Sequence, residues 1–224
     1  MTVSWRSSSG VGSSGTSTIT GTLPTGWQAG DLFVAFVYGK HNSAWTISAP
    51  PSGWDAVATQ RSDNNGANNY RSQLFTRRAV AGDTGPTFSF SLAAAHSIIG
   101  IVAVIDGTYL HHNTSFLINP PTNVAQTFPS LTFAAQDAVV LSFLGISRGA
   151  TTLNVGGTGG FTRDQNLSQG STGGVQLGSS HKAQTAANAS GTNWSSANGA
   201  DFQQWDIALG SDALARAGQV FLIA

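Results

Sequence analysis

Apolar residues in this chain occur in short runs and in alternation with polar ones, and both patterns are typical of β-strands. Residues 32–37 form a continuous apolar run bounded by glycines, which predicts a strand buried on both faces. Residues 88–92 alternate apolar and polar positions, which predicts a half-buried strand. Helical periodicity is confined to residues 213–217, enough for one or two turns. The pattern therefore predicts an all-β fold.

The second half of the chain repeats the strand pattern of the first half. Gly30-Asp31 and the apolar run after it match Gln136-Asp137 and residues 138–144 at an offset of 106 (137 − 31). Ser52-Gly53-Trp54 matches Gly159-Gly160-Phe161 at an offset of 107 (161 − 54). A repeat of this length is too long for a solenoid unit of roughly 20–50 residues. It indicates a duplicated set of strands, forming either two facing sheets of one sandwich or two tandem sandwiches.

Of these alternatives we expect one jelly-roll-like β-sandwich over residues 20–224, built from two quasi-repeated halves. The halves are expected at about residues 20–118 and 122–224. The seam is placed at residues 119–122, Asn-Pro-Pro-Thr, because proline cannot donate a hydrogen bond to a ladder and stiffens the crossing. Residues 1–19, rich in Ser and Gly, are predicted to form a flexible N-terminal arm.

Composition limits the classes of partner. The chain has no cysteine, so disulfides and thiolate metal sites are excluded. Ten basic residues balance ten acidic ones, and a neutral chain lacks the field that attracts nucleic acid or an anionic membrane. We therefore expect neither partner. No apolar stretch of signal-peptide length follows Met1, which predicts synthesis in a cytoplasm without a signal peptide.

A succession of short motifs carries a resemblance to a known class of module. The motifs are Gly30-Asp31 before an apolar strand, Pro51-Ser52-Gly53-Trp54, Gln73-Leu74-Phe75 with Arg77-Arg78, and Ala81-Gly82-Asp83 before Phe88-Ser89-Phe90. This succession resembles a β-sandwich module of structural proteins of tailed phages and prophages, similar to head-decoration, tail and fibre-associated proteins. The resemblance implies a virion structural protein, either decorating the capsid as an auxiliary protein or attached to the tail. It brings no catalytic residues with it.

One motif suggests catalysis. The G-x-S-x-G pattern around Ser147 fits a nucleophile elbow, and Asp164 and His181 follow it in hydrolase order. The elbow needs a helix after the serine, whereas residues 150–157 indicate a strand and a glycine loop. The repeat also places Ser147 opposite His41 in a loop (147 − 106). We therefore interpret Ser147 as a loop residue and predict no catalytic residues and no enzyme activity.

Motifs for cofactors and metals are also incomplete. The G-x-G-x-x-G pattern at residues 10–15 is not followed by a helix that could present its amides to a pyrophosphate. Residues 63–69 offer oxygen ligands but lack the bidentate acid of an EF-hand loop. His111 and His112 are adjacent, so on a strand they point to opposite faces. The sequence predicts no cofactor and no metal site.

Tryptophans provide an alternative function. Trp27 and Trp54 have aromatic repeat counterparts, which indicates core positions. Trp45 and Trp205 have polar neighbours and are the candidates for stacking on a sugar ring. The alternative to a virion subunit is therefore a glycan-binding or adhesive module of the fibre or receptor-binding type.

Assembly with copies of itself is the expected mode of action. Low charge avoids repulsion between densely packed neighbours. The apolar residues 220–224 must pair inside the sandwich or across a subunit interface, because an exposed edge invites aggregation. We expect adhesion through flat, uncharged surfaces in a homo-oligomer, for which a closed trimer is one form, together with other virion proteins.

Overall fold

Thirteen strands and no helix make up the described part of the chain. The computed structural model describes residues 3–65, 68–117, 131, 137–147, 153–155, 160–170, 174–184, 194–196 and 201–211. The strands are β1 (Ser4–Thr20), β2 (Leu32–His41), β3 (Asp55–Ala56), β4 (Arg61–Asn65), β5 (Asn68–Arg78), β6 (Thr87–Ile105), β7 (Gly107–Leu117), β8 (Ala138–Ile146), β9 (Leu153–Val155), β10 (Thr162–Gln169), β11 (Val175–Gln184), β12 (Trp194–Ser196) and β13 (Phe202–Ser211). The short helix expected at residues 213–217 lies outside this range.

Two antiparallel sheets pack against each other, so the prediction of an all-β sandwich is confirmed. The first sheet has the order β1-β6-β2-β5-β3, with β4 also pairing with β5. The second sheet has the order β7-β13-β8-β11-β10. Strand by strand, these correspond to β1, β6, β2, β5 and β4 of the first sheet, so the two halves of the chain repeat the same strand order. The Leu32–Arg78 pair of β2 and β5 recurs as Ala138–Gln184 of β8 and β11, 106 residues later on both strands (138 − 32 and 184 − 78).

A single residue joins the two sheets. The chain leaves the first sheet at Ile105 and enters the second at Gly107. Asp106 between them has a φ of 53°, a left-handed conformation that Asp tolerates better than most side chains. The seam expected at residues 119–122 lies outside the described residues, and the change of sheet occurs before it. The jelly-roll part of the prediction is not confirmed, because the chain completes one sheet before starting the other.

A flexible N-terminal arm was expected over residues 1–19, but from Ser4 to Thr20 the chain forms strand β1. β1 pairs with β6 along its whole length and also lies against β10 of the second sheet. A Cβ on Gly10 would collide with Leu167, and the Gln165 side chain donates a hydrogen bond to the Ser9 carbonyl at 2.5 Å. The arm prediction was wrong because small residues were interpreted as flexible. In the structure they allow the two sheets to approach at this side.

The central strands of both sheets, β2 and β8, are buried on both faces. Between the sheets, alternate side chains form a shared apolar interior, in which the Phe36 and Phe143 rings lie 5.6 Å apart. Outside the first sheet, Trp45, Ile47 and Trp54 cover the other face of β2, so the prediction that this strand is buried on both faces is confirmed. Outside the second sheet, the described residues include a cover formed by Leu131, Phe161 and Trp194. Functional surfaces are therefore to be sought mainly at the sides and ends of the sandwich.

Gly145 provides a test of this packing. It lies on β8 under the Tyr38 ring, which is fully buried, and an added Cβ would collide with the ring. We expect Gly145→Ala to lower the free energy of unfolding by about 1–3 kcal/mol, because a packed ring cannot move aside without strain. Denaturant unfolding measures the loss.

The control is the same Gly145→Ala substitution made in a Tyr38→Leu variant. Tyr38→Leu makes room next to Gly145, so the added cost of the alanine should fall below about 1 kcal/mol in that background. Equal stability of Gly145→Ala and the wild type would contradict the close contact between the sheets.

Candidate functional site

Two of the three residues in hydrolase order come together and the third does not. The Nδ1 atom of His181 lies 2.6 Å from Oδ1 of Asp164. His181 is paired with Leu141 on β8, and Ser147 lies six residues further along the chain (147 − 141). At ~3.3 Å per residue, Ser147 is therefore roughly 20 Å from the pair. Its backbone amide donates to the Asp201 carbonyl at 2.9 Å and its side chain is buried.

Both tryptophans expected to stack on a sugar are core residues. Trp45 is 2% exposed and Trp205 is 1% exposed. The Trp45 indole donates to the Asn69 carbonyl at 2.9 Å, and that of Trp205 donates to the Ser72 hydroxyl of the opposite sheet at 2.8 Å. The surface assignment was wrong because other elements pack over both rings. Trp45 follows β2 in a segment without strand structure and lies edge-on to Phe90, with ring centroids 5.2 Å apart, and Trp205 on β13 belongs to the apolar cluster between the sheets. Trp54, expected in the core, is buried there.

A different tryptophan lies at a groove on the side of the sandwich. Trp5 of β1 stacks on the imidazole of His181 from β11, with ring centroids 4.6 Å apart and an interplanar angle of 7°. The pairing of β10 with β11 shifts register between Arg163 and Gln165, which is a bulge at Asp164. Bulges redirect side chains. Here the bulge places Asp164 beside His181 while Gln165 reaches the first sheet.

The Asp164 carboxylate holds the imidazole in place. The Asp164 side chain is only 2% exposed, and among the described residues its Oδ2 atom has no hydrogen-bond partner. Burial raises the pKa of Asp164, and the hydrogen bond and charge of His181 offset part of that rise. The carboxylate is thus an anchor behind the ring, and His181 is fixed against Trp5.

The groove beside Trp5 has a volume of about 350 Å³. The residues around it include Ser4, Trp5, Val139, Thr162, His181 and Lys182. The Lys182 ammonium lies 5.8 Å from the centre of the Phe161 ring. Sequence reasoning missed this site because Trp5 was assigned to the arm. An isolated tryptophan in a stretch of Ser and Gly was the available signal.

Other polar candidates are occupied by contacts within the chain. His112 Nδ1 lies 2.7 Å from the Tyr109 hydroxyl. Asp63 accepts a hydrogen bond from Gln203 at 2.5 Å and pairs with Arg61 at 3.2 Å. Among the residues described, no cluster of three or more His, Cys, Asp or Glu side chains could hold a metal ion. Nor does that portion contain a helix long and apolar enough to cross a membrane.

Comparison of the chain with protein-family models, with curated proteins and with solved structures gave no match. Among the described residues, core packing alone does not explain the groove beside Trp5 or the edge strand β7. A buried carboxylate in the second sheet bears on the stability of the fold.

That carboxylate is Asp206 on the outer face of the second sheet. The Gln204 side-chain amide donates to both of its oxygens, at 2.7 and 2.9 Å. The Ser142 hydroxyl accepts from Gln204 and from the Trp194 indole, each at 3.1 Å. Burial raises the pKa of Asp206 to about 6, although hydrogen bonds from Ser142 and Gln204 act in the opposite direction. Folding therefore favours the protonated acid.

Asp206 should make stability depend on pH. Its folded pKa lies above its unfolded value, so the ionised group costs stability above pH 6, and the cost disappears as pH falls towards 4. A shift of this size corresponds to roughly 2–3 kcal/mol. We expect Asp206→Asn to be more stable than the wild type at pH 8, with a difference that vanishes near pH 4.

Urea unfolding between pH 4 and pH 8 measures this difference. Asp55→Asn is the control, because it removes an exposed carboxylate on β3 and leaves the buried cluster intact. Identical pH profiles for Asp206→Asn and Asp55→Asn would contradict the raised pKa.

Proposed function

We propose that this chain is a structural subunit of a phage particle that acts by binding copies of itself and other virion proteins. The proposal combines the resemblance to tailed-phage modules with one feature of the fold, the edge strand β7. Capsid decoration and attachment to the tail are both consistent with it. The protein would act by adhesion, without chemistry.

The observation that carries the proposal is the character of β7. It is eleven residues long, lies at the end of the second sheet and, among the described strands, pairs only with β13. It contains no Asp, Lys, Arg or Pro, and Tyr109 on it is 41% exposed. Natural edge strands usually carry charges or proline that prevent pairing with another chain. A long, uncharged edge favours the addition of a strand from a partner.

The other edge strands of the two sheets are short, charged or covered. β1, at the edge of the first sheet, lies against β10, and β3 has only two residues. β10 contains Arg163 and Asp164 and is covered by β1 at the side of the sandwich. β4 has only five residues and contains Arg61 and Asp63. β7 is therefore the edge best suited to assembly among those described.

The symmetry of pairing determines the type of oligomer. If β7 pairs with β7 of a second copy, the contact is self-complementary and gives a dimer. If β7 pairs with a different edge, the contact can close into a ring such as the expected trimer. Neutral charge favours either arrangement, since like-charge repulsion between copies is small.

The assembly can be tested by blocking this edge. We expect the wild type to sediment as an oligomer at micromolar concentration. Tyr109→Lys should weaken association at least ~10-fold, because a charge on an edge strand opposes pairing. Leu92→Lys is the matched control, since Leu92 has the same 41% exposure but lies on β6. Analytical ultracentrifugation over a concentration series measures both.

Two results would overturn the proposal. One is a wild-type chain that remains monomeric at the highest concentrations. The other is an absence of the protein from purified phage particles, tested by immunogold electron microscopy with an antibody against the folded chain. Signal at the head would assign capsid decoration, and signal at the tail would assign tail attachment.

A further inference from the structure

The edge strands of the two sheets differ in what they offer to a second copy of the chain. β1 lies against β10 at one side of the sandwich, and β10 itself contains Arg163 and Asp164. β3 has two residues, and β4 has five, of which two are charged. β9 and β12, which pair with each other, have three residues each. Within the described part of the chain, the long edge without acidic residues, lysine or arginine that a second copy presents is therefore β7 itself.

The length of β7 determines which residues such a contact brings together. The strand runs Gly107–Leu117, so its midpoint is residue 112, half of 107 + 117. When the strand pairs antiparallel with its own copy over its full length, residue i lies opposite residue 224 − i (107 + 117). His112 then lies opposite His112 of the second copy. Directly opposite residues on paired strands have their Cβ atoms roughly 4.5–5.5 Å apart.

His112 has a defined position on β7. Its ring stacks on Trp205 of β13, with centroids 5.9 Å apart, and its Nδ1 atom lies 2.7 Å from the Tyr109 hydroxyl. Trp205 belongs to the apolar cluster between the sheets, to which Leu74 of β5 and Val57 also contribute. The imidazole therefore has aromatic and apolar neighbours within its own copy.

Charged groups on the neighbouring strands are engaged elsewhere. Asp206 of β13 accepts two hydrogen bonds from Gln204 on the outer face of the second sheet. Arg78 of β5 donates to the Thr108 hydroxyl at 3.4 Å, at the start of β7. On β4, the charged residues Arg61 and Asp63 pair with each other at 3.2 Å. The charge at the middle of β7 is thus set mainly by its histidines.

We propose that β7 pairs antiparallel with β7 of a second copy, giving a dimer in which His112 of both copies meets at the twofold axis. This inference rests on the proposed function, assembly through β7, and selects the self-complementary one of its two arrangements. The five-stranded second sheets of the two copies join into one continuous sheet. The contact is incomplete in one copy, because each copy supplies half of it.

Two facing imidazoles make the dimer sensitive to pH. An imidazole changes its charge between about pH 5 and pH 8. Protonation of both rings places like charges directly opposite each other, which opposes pairing, and β7 has no acidic residue to offset them. The dimer should therefore weaken as pH falls. Unfolding does not account for such a loss, because the buried carboxylate of Asp206 favours folding at low pH.

Single cysteines test the register, because the chain has no cysteine of its own. His112→Cys should give a disulfide-linked dimer under mild oxidation, since directly opposite Cα atoms lie within the ~4.4–6.8 Å that a disulfide spans. Thr108→Cys is the control on the same strand. In this register the two introduced thiols are eight residues apart (116 − 108), or roughly 26 Å. Non-reducing electrophoresis should show at least ~10-fold more linked dimer for His112→Cys.

Analytical ultracentrifugation at about pH 8 and about pH 5.5 tests the imidazoles. We expect the wild type to be a dimer at the higher pH, with a Kd at least about 5-fold larger at the lower pH. In His112→Gln the ratio of the two Kd values should fall below about 2-fold, because the facing charges are gone. His41→Gln, at the end of β2, should keep the wild-type ratio. Thermal unfolding shows whether each variant is folded.

The outcomes distinguish this inference from the proposed function. A wild-type trimer or larger ring, or equal cross-linking of the two cysteine variants, would overturn the self-paired dimer and leave assembly through β7 intact. A Kd independent of pH, or the same pH dependence in folded His112→Gln, would overturn the facing imidazoles. A monomeric wild type would remove the proposed function and this inference with it. A dimer that is linked through position 112 and weakened at low pH supports the inference.

Discussion

Close contact between the inner faces of the two sheets is the constraint on which the rest of this structure depends. The Phe36 and Phe143 rings lie 5.6 Å apart, and Gly145 has room for no side chain beneath Tyr38. At the side, Gly10 leaves space for Leu167. Because interiors pack as densely as crystals, these small residues determine how near the sheets come. The apolar interior and the stacking of Trp5 on His181 both follow from that distance.

The sequence was sufficient to predict the strands and their repetition, because both depend on local pattern. The run at residues 32–37 became β2, and its counterpart at 138–144 became part of β8. The seam and the N-terminal segment were not predictable in this way. Ser and Gly at residues 7–15 have no apolar pattern, and their role appears only when β10 lies beside them. Non-local packing decided between arm and strand.

The candidate site shows the same limit. Asp164 and His181 were noticed because of their order in the chain, but their contact depends on the bulge between Arg163 and Gln165. Trp5, which completes the groove, belongs to the other sheet. Trp45 and Trp205 attracted a functional interpretation because their neighbours in the sequence are polar, whereas both rings are packed in apolar clusters. Whether an aromatic side chain is exposed depends on which distant segments pack over it, and a local pattern does not show those contacts.

The joint at Asp106 also has a consequence for synthesis. Every strand of the first sheet ends at or before Ile105, so that sheet can form while the second half is still on the ribosome. Its inner face then has no cover until β7, β8, β11 and β13 emerge. At ~5–20 residues per second, the second half takes roughly 5–20 s to appear. During that interval, apolar side chains such as Val34 and Phe36 face solvent, a chaperone or another nascent chain. Because one residue joins the sheets, the first sheet can fold during synthesis before the strands of the second have appeared.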